Sequence, residues 1–207
     1  MSANFAERPL NTARKAFPQR LQQQQNNTHE MIHTLQWKEK GRKEVFSCKV
    51  FSVHESYCIS PKDVLRTYTV MEAPDWAIIV PVLGDDFVMV RQWRHGSRSM
   101  CLEFPGGVFE PGEDPKTAAA RELLEETGYN PGSITKIGEL SPNPAIMANT
   151  LHVFLAADLA NTGSQRLDPD EFIDVELVNR KTVIQSMGKP PYNHALMAAA
   201  LALYMRA

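Results

Sequence analysis

Three glutamates crowd the middle of the 207-residue chain, in the run Arg121-Glu122-Leu123-Leu124-Glu125-Glu126. On a helix of 3.6 residues per turn, Glu122, Glu125 and Glu126 share one face within about 100° of arc. Carboxylates so close repel one another, and like charges at i,i+4 cost an isolated helix about 0.2–0.5 kcal/mol. Arg121 can relieve part of this by reaching Glu125 or the earlier Glu113. Two readings fit the residues. One is a solvated acidic face. The other is a site for a hard divalent cation, which takes oxygen ligands. Just upstream, Gly106 lacks a Cβ, so its carbonyl stays approachable by an ion. The residues alone leave both readings open.

The elements that must hold this patch are a loop and a helix. Residues 107–113 (Gly-Val-Phe-Glu-Pro-Gly-Glu) are rich in glycine and proline. Asp114-Pro115 then starts a helix, with Asp as an N-cap that accepts orphan N–H groups and Pro at N1, where no partner is lost. Nothing breaks the helix from Lys116 to Thr127, and Gly128 stands where a left-handed C′ residue is needed. Ala120, Leu123, Leu124 and Thr127 fall roughly opposite the carboxylates and are the expected packing face.

The whole stretch resembles the signature of the Nudix hydrolases: Gly, five residues, Glu, seven residues, then Arg-Glu-aliphatic-any-Glu-Glu-any-Gly-bulky. Gly107, Glu113, Arg121, Glu122, Leu123, Glu125, Glu126, Gly128 and Tyr129 fill it in register. Tyr129 is the one strained position, since an aliphatic residue is more usual there. So many specified positions at fixed spacing make a specific motif.

Around this box the chain reads as follows. Residues 1–35 are a polar arm with a Gln/Asn tract (Gln22 to Asn27) and too few apolar residues for a core, expected to be flexible. Residues 36–74 have strand texture and form an expected N-terminal antiparallel extension, with a turn at Pro61-Lys62-Asp63. The remaining residues, 75–207, are the expected catalytic domain. Residues 76–83 are a near-continuous apolar run, hence a buried strand, and Gly84-Asp85-Asp86 turns it into a partner at 87–90. Arg91-Gln92-Trp93-Arg94 follows, and 102–107 (Leu-Glu-Phe-Pro-Gly-Gly) leads into the box. After the helix come strands at 134–140 and 151–157, with His152 read as a packed strand histidine. Residues 163–171 are a polar, acidic loop. Residues 172–178 alternate as a strand, Asn179 caps a helix through Met187, and 192–205 form a buried C-terminal helix.

The resemblance implies the Nudix fold, an α/β class α/β/α sandwich of mixed sheet. It implies a hydrolase that breaks the P–O–P bridge of a nucleoside diphosphate linked to another group. Substrate and box are both negative, so divalent cations must stand between them. By resemblance these are Mg²⁺ ions (Mn²⁺ as an alternative). Glu122 and Glu126 are the main ligands, Glu125 is close behind, and the Gly106 carbonyl is a neutral ligand. Glu125 and Glu126 also count as catalytic through the metal, while Gly107, Glu113, Arg121 and Gly128 shape the box.

Within the family the flanks resemble the ADP-ribose pyrophosphatase subgroup. Arg-Gln-aromatic-Arg precedes the box, which nominates Arg94 for a substrate phosphate, since guanidinium suits bidentate phosphate geometry. Pro144, sixteen residues past Gly128, stiffens the turn that edges the cleft. Here Ser-Pro-Asn-Pro-Ala (141–145) replaces the more usual Pro-Gly turn. In the subgroup a glutamate from an acidic loop orients the attacking water; Glu171 in Asp168-Pro169-Asp170-Glu171 is the best match, against a solvated surface turn. ADP-ribose, split to AMP and ribose 5-phosphate, is the first expectation. A hydrolase of GDP-mannose or NADH is the alternative, and a non-catalytic ADP-ribose-binding sensor is an alternative of a different class. The subgroup also packs its N-terminal strands on a second subunit, so a homodimer is expected.

Composition narrows the partners. A net charge of −2 gives no basic footprint for nucleic acid. The longest apolar runs fall short of the roughly 20 residues of a membrane span. Cys48, Cys58 and Cys101 make no C-x-x-C and no disulfide framework, and the N-terminus has no apolar signal region, so the expectation is cytoplasm.

Overall fold

The computed structural model describes residues 35–207; the expected flexible arm lies outside the described residues apart from Leu35. The chain divides into two compact units, one holding the described residues up to Val45 together with His54–Thr69, the other Phe46–Val53 with Val70–Ala207.

Strands β1 (Lys38–Ser47), β2 (Ser52–Ile59) and β3 (Leu65–Glu72) form a three-stranded sheet in that order. The β2–β3 turn is closed by Ser60, whose hydroxyl accepts from the Lys62 and Val64 N–H groups. Ser56 donates to Glu39 at 2.7 Å, and Trp37 meets Tyr68 edge-on at 5.2 Å. This sheet is thinly covered: β1 is exposed along its whole length.

The larger sheet has the order β6-β5-β4-β8-β7, with β9 also on β5. Its strands are β4 (Trp76–Leu83), β5 (Asp86–Arg94), β6 (Ser99–Glu103), β7 (Tyr129–Leu140), β8 (Leu151–Asn161) and β9 (Asp174–Asn179). β4 runs parallel to β8, from Trp76 opposite Leu151 to Pro81 opposite Ala156. The β5–β6, β5–β9 and β7–β8 pairs are antiparallel, so the sheet is mixed. Helices α1 (Pro115–Thr127), α2 (Arg180–Ser186) and α3 (Ala195–Tyr204) complete the fold.

The period of two along β4 explains the layers, because successive side chains leave opposite faces. Ile78 and Val80 join Val153, Val183 of α2 and Met197, Ala200 and Leu201 of α3 in one core. Ala77 and Ile79 join Phe154, Ala156 and, from α1, Ala119 and Leu123 in the other. Helices therefore cover both faces of one mixed sheet, the expected α/β/α sandwich. Among the described residues no helix is long and apolar enough to cross a membrane.

Several boundaries differ from the sequence reading. β7 begins at Tyr129, five residues before Ile134; it is the outer strand, paired on β8 alone, where Pro131 costs no second ladder bond. β8 continues to Asn161. β9 starts only at Asp174, leaving Phe172 outside the ladder and 85% exposed. The C-terminal helix starts at Ala195. The α2 cap is as expected: Asn179 accepts from the Lys181 N–H.

Candidate active site

The box loop lies along β4. Ala77 and Ile79 donate to the carbonyls of Gly107 and Pro105, both at 2.9 Å. Strand-like pairing alternates direction, so the Gly106 peptide groups point away from β4, and its N–H donates to Glu126 Oε2 at 2.9 Å. Both glycines are required by contact. A Cβ on Gly106 would lie 2.2 Å from the Ala77 carbonyl oxygen, and one on Gly107 would lie 2.5 Å from the Glu122 carboxyl.

Helix α1 is built as its sequence implies. Asp114 caps it, accepting from the Lys116 and Thr117 N–H groups at 3.1 Å. Gly128 ends it in the left-handed region at φ 72° and donates to Leu124 O. The packing face needs correction. It is formed by Ala118, Ala119, Leu123, Thr127 and Glu126, whereas Ala120 and Leu124 are only half-buried and line an outer groove with Lys116 and Ile134. The helix is rolled so that Glu126, 4% exposed, enters the buried face instead of standing opposite it.

That roll sets the electrostatics. Burial, with Glu122 and Glu171 adding repulsion, pushes the Glu126 carboxyl up to about 8, although the Gly106 N–H works against it. Burial likewise lifts Glu122 to about 6, opposed by Arg121. Arg121 is the local counter-charge. Its Nε and Nη2 hold the two oxygens of Glu113 at 2.9 Å, and Nη1 reaches Glu122 at 2.9 Å and Glu125 at 3.0 Å. Hydrogen bonding to Arg121 holds Glu113 below the ordinary carboxylate range. Glu113 also accepts from the Glu110 N–H, which closes the loop on the helix.

Arg94 ends β5 and grips Glu103 through Nε and Nη2 at 2.9 and 2.7 Å. Among the described residues nothing holds its Nη1. Glu103 is 1% exposed, and His194, the residue before α3, stands 3.1 Å away through Nδ1. Burial alone would raise Glu103; the bonds from His194 and Arg94 instead hold it at about 2. Sequence reasoning gave neither Glu103 nor His194 a role. The available signal was a carboxylate between Leu102 and Phe104 in a strand with no polar face.

Glu171 lies in the exposed loop before β9. Its carboxylate accepts from the Asp168 N–H at 3.1 Å, and its charge raises both Glu122 and Glu126, which puts it within their field. Pro144 is exposed in the β7–β8 turn and is not among the groups meeting at Gly106. His152 is packed as expected, against Phe109 of the box loop at 5.0 Å and Asp75 at 3.2 Å.

The donor set can be tested against a divalent ion. Among the described residues no three carboxylate, imidazole or thiol side chains converge as a ready cage, and Arg121 ties Glu122 and Glu125 to itself. Yet Glu126 is a buried carboxylate with no cationic side chain bonded to it among the described residues, Glu122 is part-buried and shares Arg121 with Glu113 and Glu125, and no donor among the described residues reaches the Gly106 carbonyl. All these donors are oxygens, and the set fits a hard cation.

The NUDIX domain matches residues 73–199. The ADP-ribose pyrophosphatase of Bacillus subtilis (strain 168) is 32% identical over 146 residues, 70% of this chain and 79% of that protein. The ADP compounds hydrolase NudE of Escherichia coli (strain K12) is 29% identical over 128 residues, 61% and 67% of the two chains. A crystal structure of an ADP compounds hydrolase superposes with a TM-score of 0.74 at 26% identity, covering 83% of this chain and 94% of that one. The chain therefore belongs to the NUDIX family and is a pyrophosphohydrolase. Hydrolysis of nucleoside diphosphate derivatives is its reaction class.

Proposed function

We propose that the protein hydrolyses ADP-ribose to AMP and ribose 5-phosphate with Mg²⁺. The observation that carries this reading is the buried carboxylate Glu126, with no cationic side chain bonded to it among the described residues, beside the part-buried Glu122 and the unengaged Gly106 carbonyl. It is supported by relatives named for ADP-ribose and ADP compounds. Glu122, Glu126 and Gly106 would hold the ion, with Glu125 joining when Arg121 releases it. An ion held by these residues would neutralise charge developing on the diphosphate and lower the pKa of bound water.

The chain's own groups do the rest. Arg94, fixed by Glu103, offers Nη1 to a phosphate oxygen. Glu171 orients the attacking water: carboxylates engaged by a cation are poor bases, so a carboxylate outside the ligand set is needed. Arg121 and Glu113 hold the loop on the helix, and Pro144 stiffens the edge of the cleft. Residues 75–207 act as the catalytic domain.

Residues 36–74 act as a dimerisation extension. The three-stranded sheet leaves Trp37, Val45, Phe46, Leu65 and Tyr68 at 40–59% exposure. A second copy of the chain is the expected cover, and light scattering should give a homodimer. A net charge of −2 and three unpaired cysteines suit a cytoplasmic enzyme of small molecules rather than of nucleic acid.

Phosphate release from ADP-ribose, GDP-mannose and NADH, with a phosphatase added and with or without Mg²⁺, tests the reading. ADP-ribose should be preferred and EDTA should abolish the signal. A preference for GDP-mannose or NADH would overturn the substrate, and full activity in EDTA would overturn the metal.

A further inference from the structure

The C-terminal end of α1 is closed by a segment far along the chain. The last carbonyls of a helix have no partner within it and must find one elsewhere. Here residues 162–166 supply several. Arg166 donates its N–H to Glu125 O at 2.8 Å, and Thr162 donates its N–H and its hydroxyl to Gly128 O, both at 2.8 Å. The Gln165 side-chain amide donates to Glu126 O at 2.5 Å. The approach is close: a Cβ on Gly128 would lie 3.1 Å from the Ser164 carbonyl oxygen.

Gln165 does more than close the helix. The same Nε2 also donates to Ile173 O at 3.2 Å. Both partners are carbonyls, so the amide must present its NH₂, which fixes the orientation of the group. One side chain thus joins the turn that carries Glu125 and Glu126 to Ile173, the buried residue at the far end of the acidic loop. The loop between, residues 166–172, has both ends pinned to the box helix. Glu171 stands two residues from the second pin.

We infer that Gln165 is a positioning residue that sets the place of Glu171 relative to the carboxylates of α1. This rests on the proposed role of Glu171 in orienting water. With both ends tied to one helix turn, the loop can hinge without drifting, and Glu171 returns to the same place over Glu122 and Glu126. Geometry of this kind acts on the transition state more than on binding, because misplacing a water-orienting group costs rate rather than affinity.

A double-mutant cycle in kcat for ADP-ribose hydrolysis with Mg²⁺ tests it, with active sites titrated so that unfolded protein does not count. Gln165→Ala should lower kcat about tenfold with KM within about twofold. Gln165→Glu, equal in size but without the donors and facing two carbonyls, should be no better than Ala. Gln165→Asn, one methylene shorter, should fall between Ala and wild type. In the Glu171→Gln background the effect of Gln165→Ala should vanish, since nothing is left to position. An equal kcat loss in both backgrounds would make Gln165 a helix clasp and overturn the inference. So would a silent Gln165→Ala beside a crippled Glu171→Gln. A silent Glu171→Gln would overturn the role of Glu171 itself, and the positioning of it with it.

Discussion

Glu103 and Glu126 are both nearly removed from water, at 1% and 4% exposure, one three residues before Gly106 and the other hydrogen-bonded to it. Their electrostatic states are opposite. Glu103 is gripped by Arg94 and faced by His194, and it stays charged far below the usual carboxylate range. Glu126 has one backbone N–H and two neighbouring carboxylates, and burial pushes it up to about 8. A buried charge is tolerable only when paired. Glu103 has its pair inside the protein and is a finished structural element. Glu126 has no cationic side chain bonded to it among the described residues, and in the proposed reading a divalent cation supplies that charge. On the proposed reading, the comparison separates a carboxylate that builds the site from one that works in it.

The sharpest way to break the comparison is to neutralise Glu126. Glu126→Gln keeps the shape and an acceptor for the Gly106 N–H, and burial already favours the uncharged form. Turnover should fall about 10³-fold, the loss of several kcal/mol of metal-borne stabilisation, while the melting temperature stays within a few degrees. Near wild-type turnover in this variant would place the working charge elsewhere.

The two glycines between these carboxylates sharpen it next. Gly106→Ala drives a Cβ into the Ala77 backbone, which cannot yield without breaking the pairing of the loop on β4. A loss of about 4 kcal/mol in urea denaturation is expected. Gly107→Ala meets only the end of the Glu122 side chain, which can swing away. It should cost about 1 kcal/mol in stability, yet weaken Mg²⁺ binding by titration calorimetry. If the two variants lose the same stability, the contrast between backbone and side-chain neighbours is wrong.

How much of this was legible in the sequence follows from range. The helix, its Asp114 and Gly128 caps, and the Arg121–Glu113 pairing depend on residues within a few turns, and spacing specified them. The near-continuous apolar run along 76–83 was readable as a buried strand. The roll of α1 was not, because it is decided by which flank meets Ile79 and Phe154, residues distant in the chain. Glu126 was therefore read on a face opposite the packing side when it belongs to it. The sequence nominates Arg94 for a substrate phosphate; the structure adds its partner Glu103, itself faced by His194, an arrangement spanning two strands and the residue before α3. Gln165 left no local signal, since its partners are carbonyls, which every residue carries. β7 starts at Tyr129, ahead of the expected Ile134, and its place at the sheet edge is what makes Pro131 tolerable within it.

Glu103 is the structural side of the comparison, and its effect is on stability and its pH dependence. Its folded pKa of about 2 lies well below the ordinary carboxylate range. A depressed carboxylate contributes stability that is present above the unfolded value and lost as pH falls through the folded one. A shift of this size corresponds to about 3 kcal/mol at neutral pH. The group is almost wholly buried, so solvent does little to screen it. Glu103→Gln leaves Arg94 without its counter-charge and removes the carboxylate that faces His194, and should cost about this much at pH 7. The cost should shrink as pH falls from about 4.5 towards 2, where the wild-type carboxyl is itself protonated. Urea midpoints for both proteins at pH 7, 4 and 2.5 read the difference. A gap that stays constant across the three would mean that Glu103 contributes by shape alone, and its contrast with Glu126 would then be one of packing rather than charge.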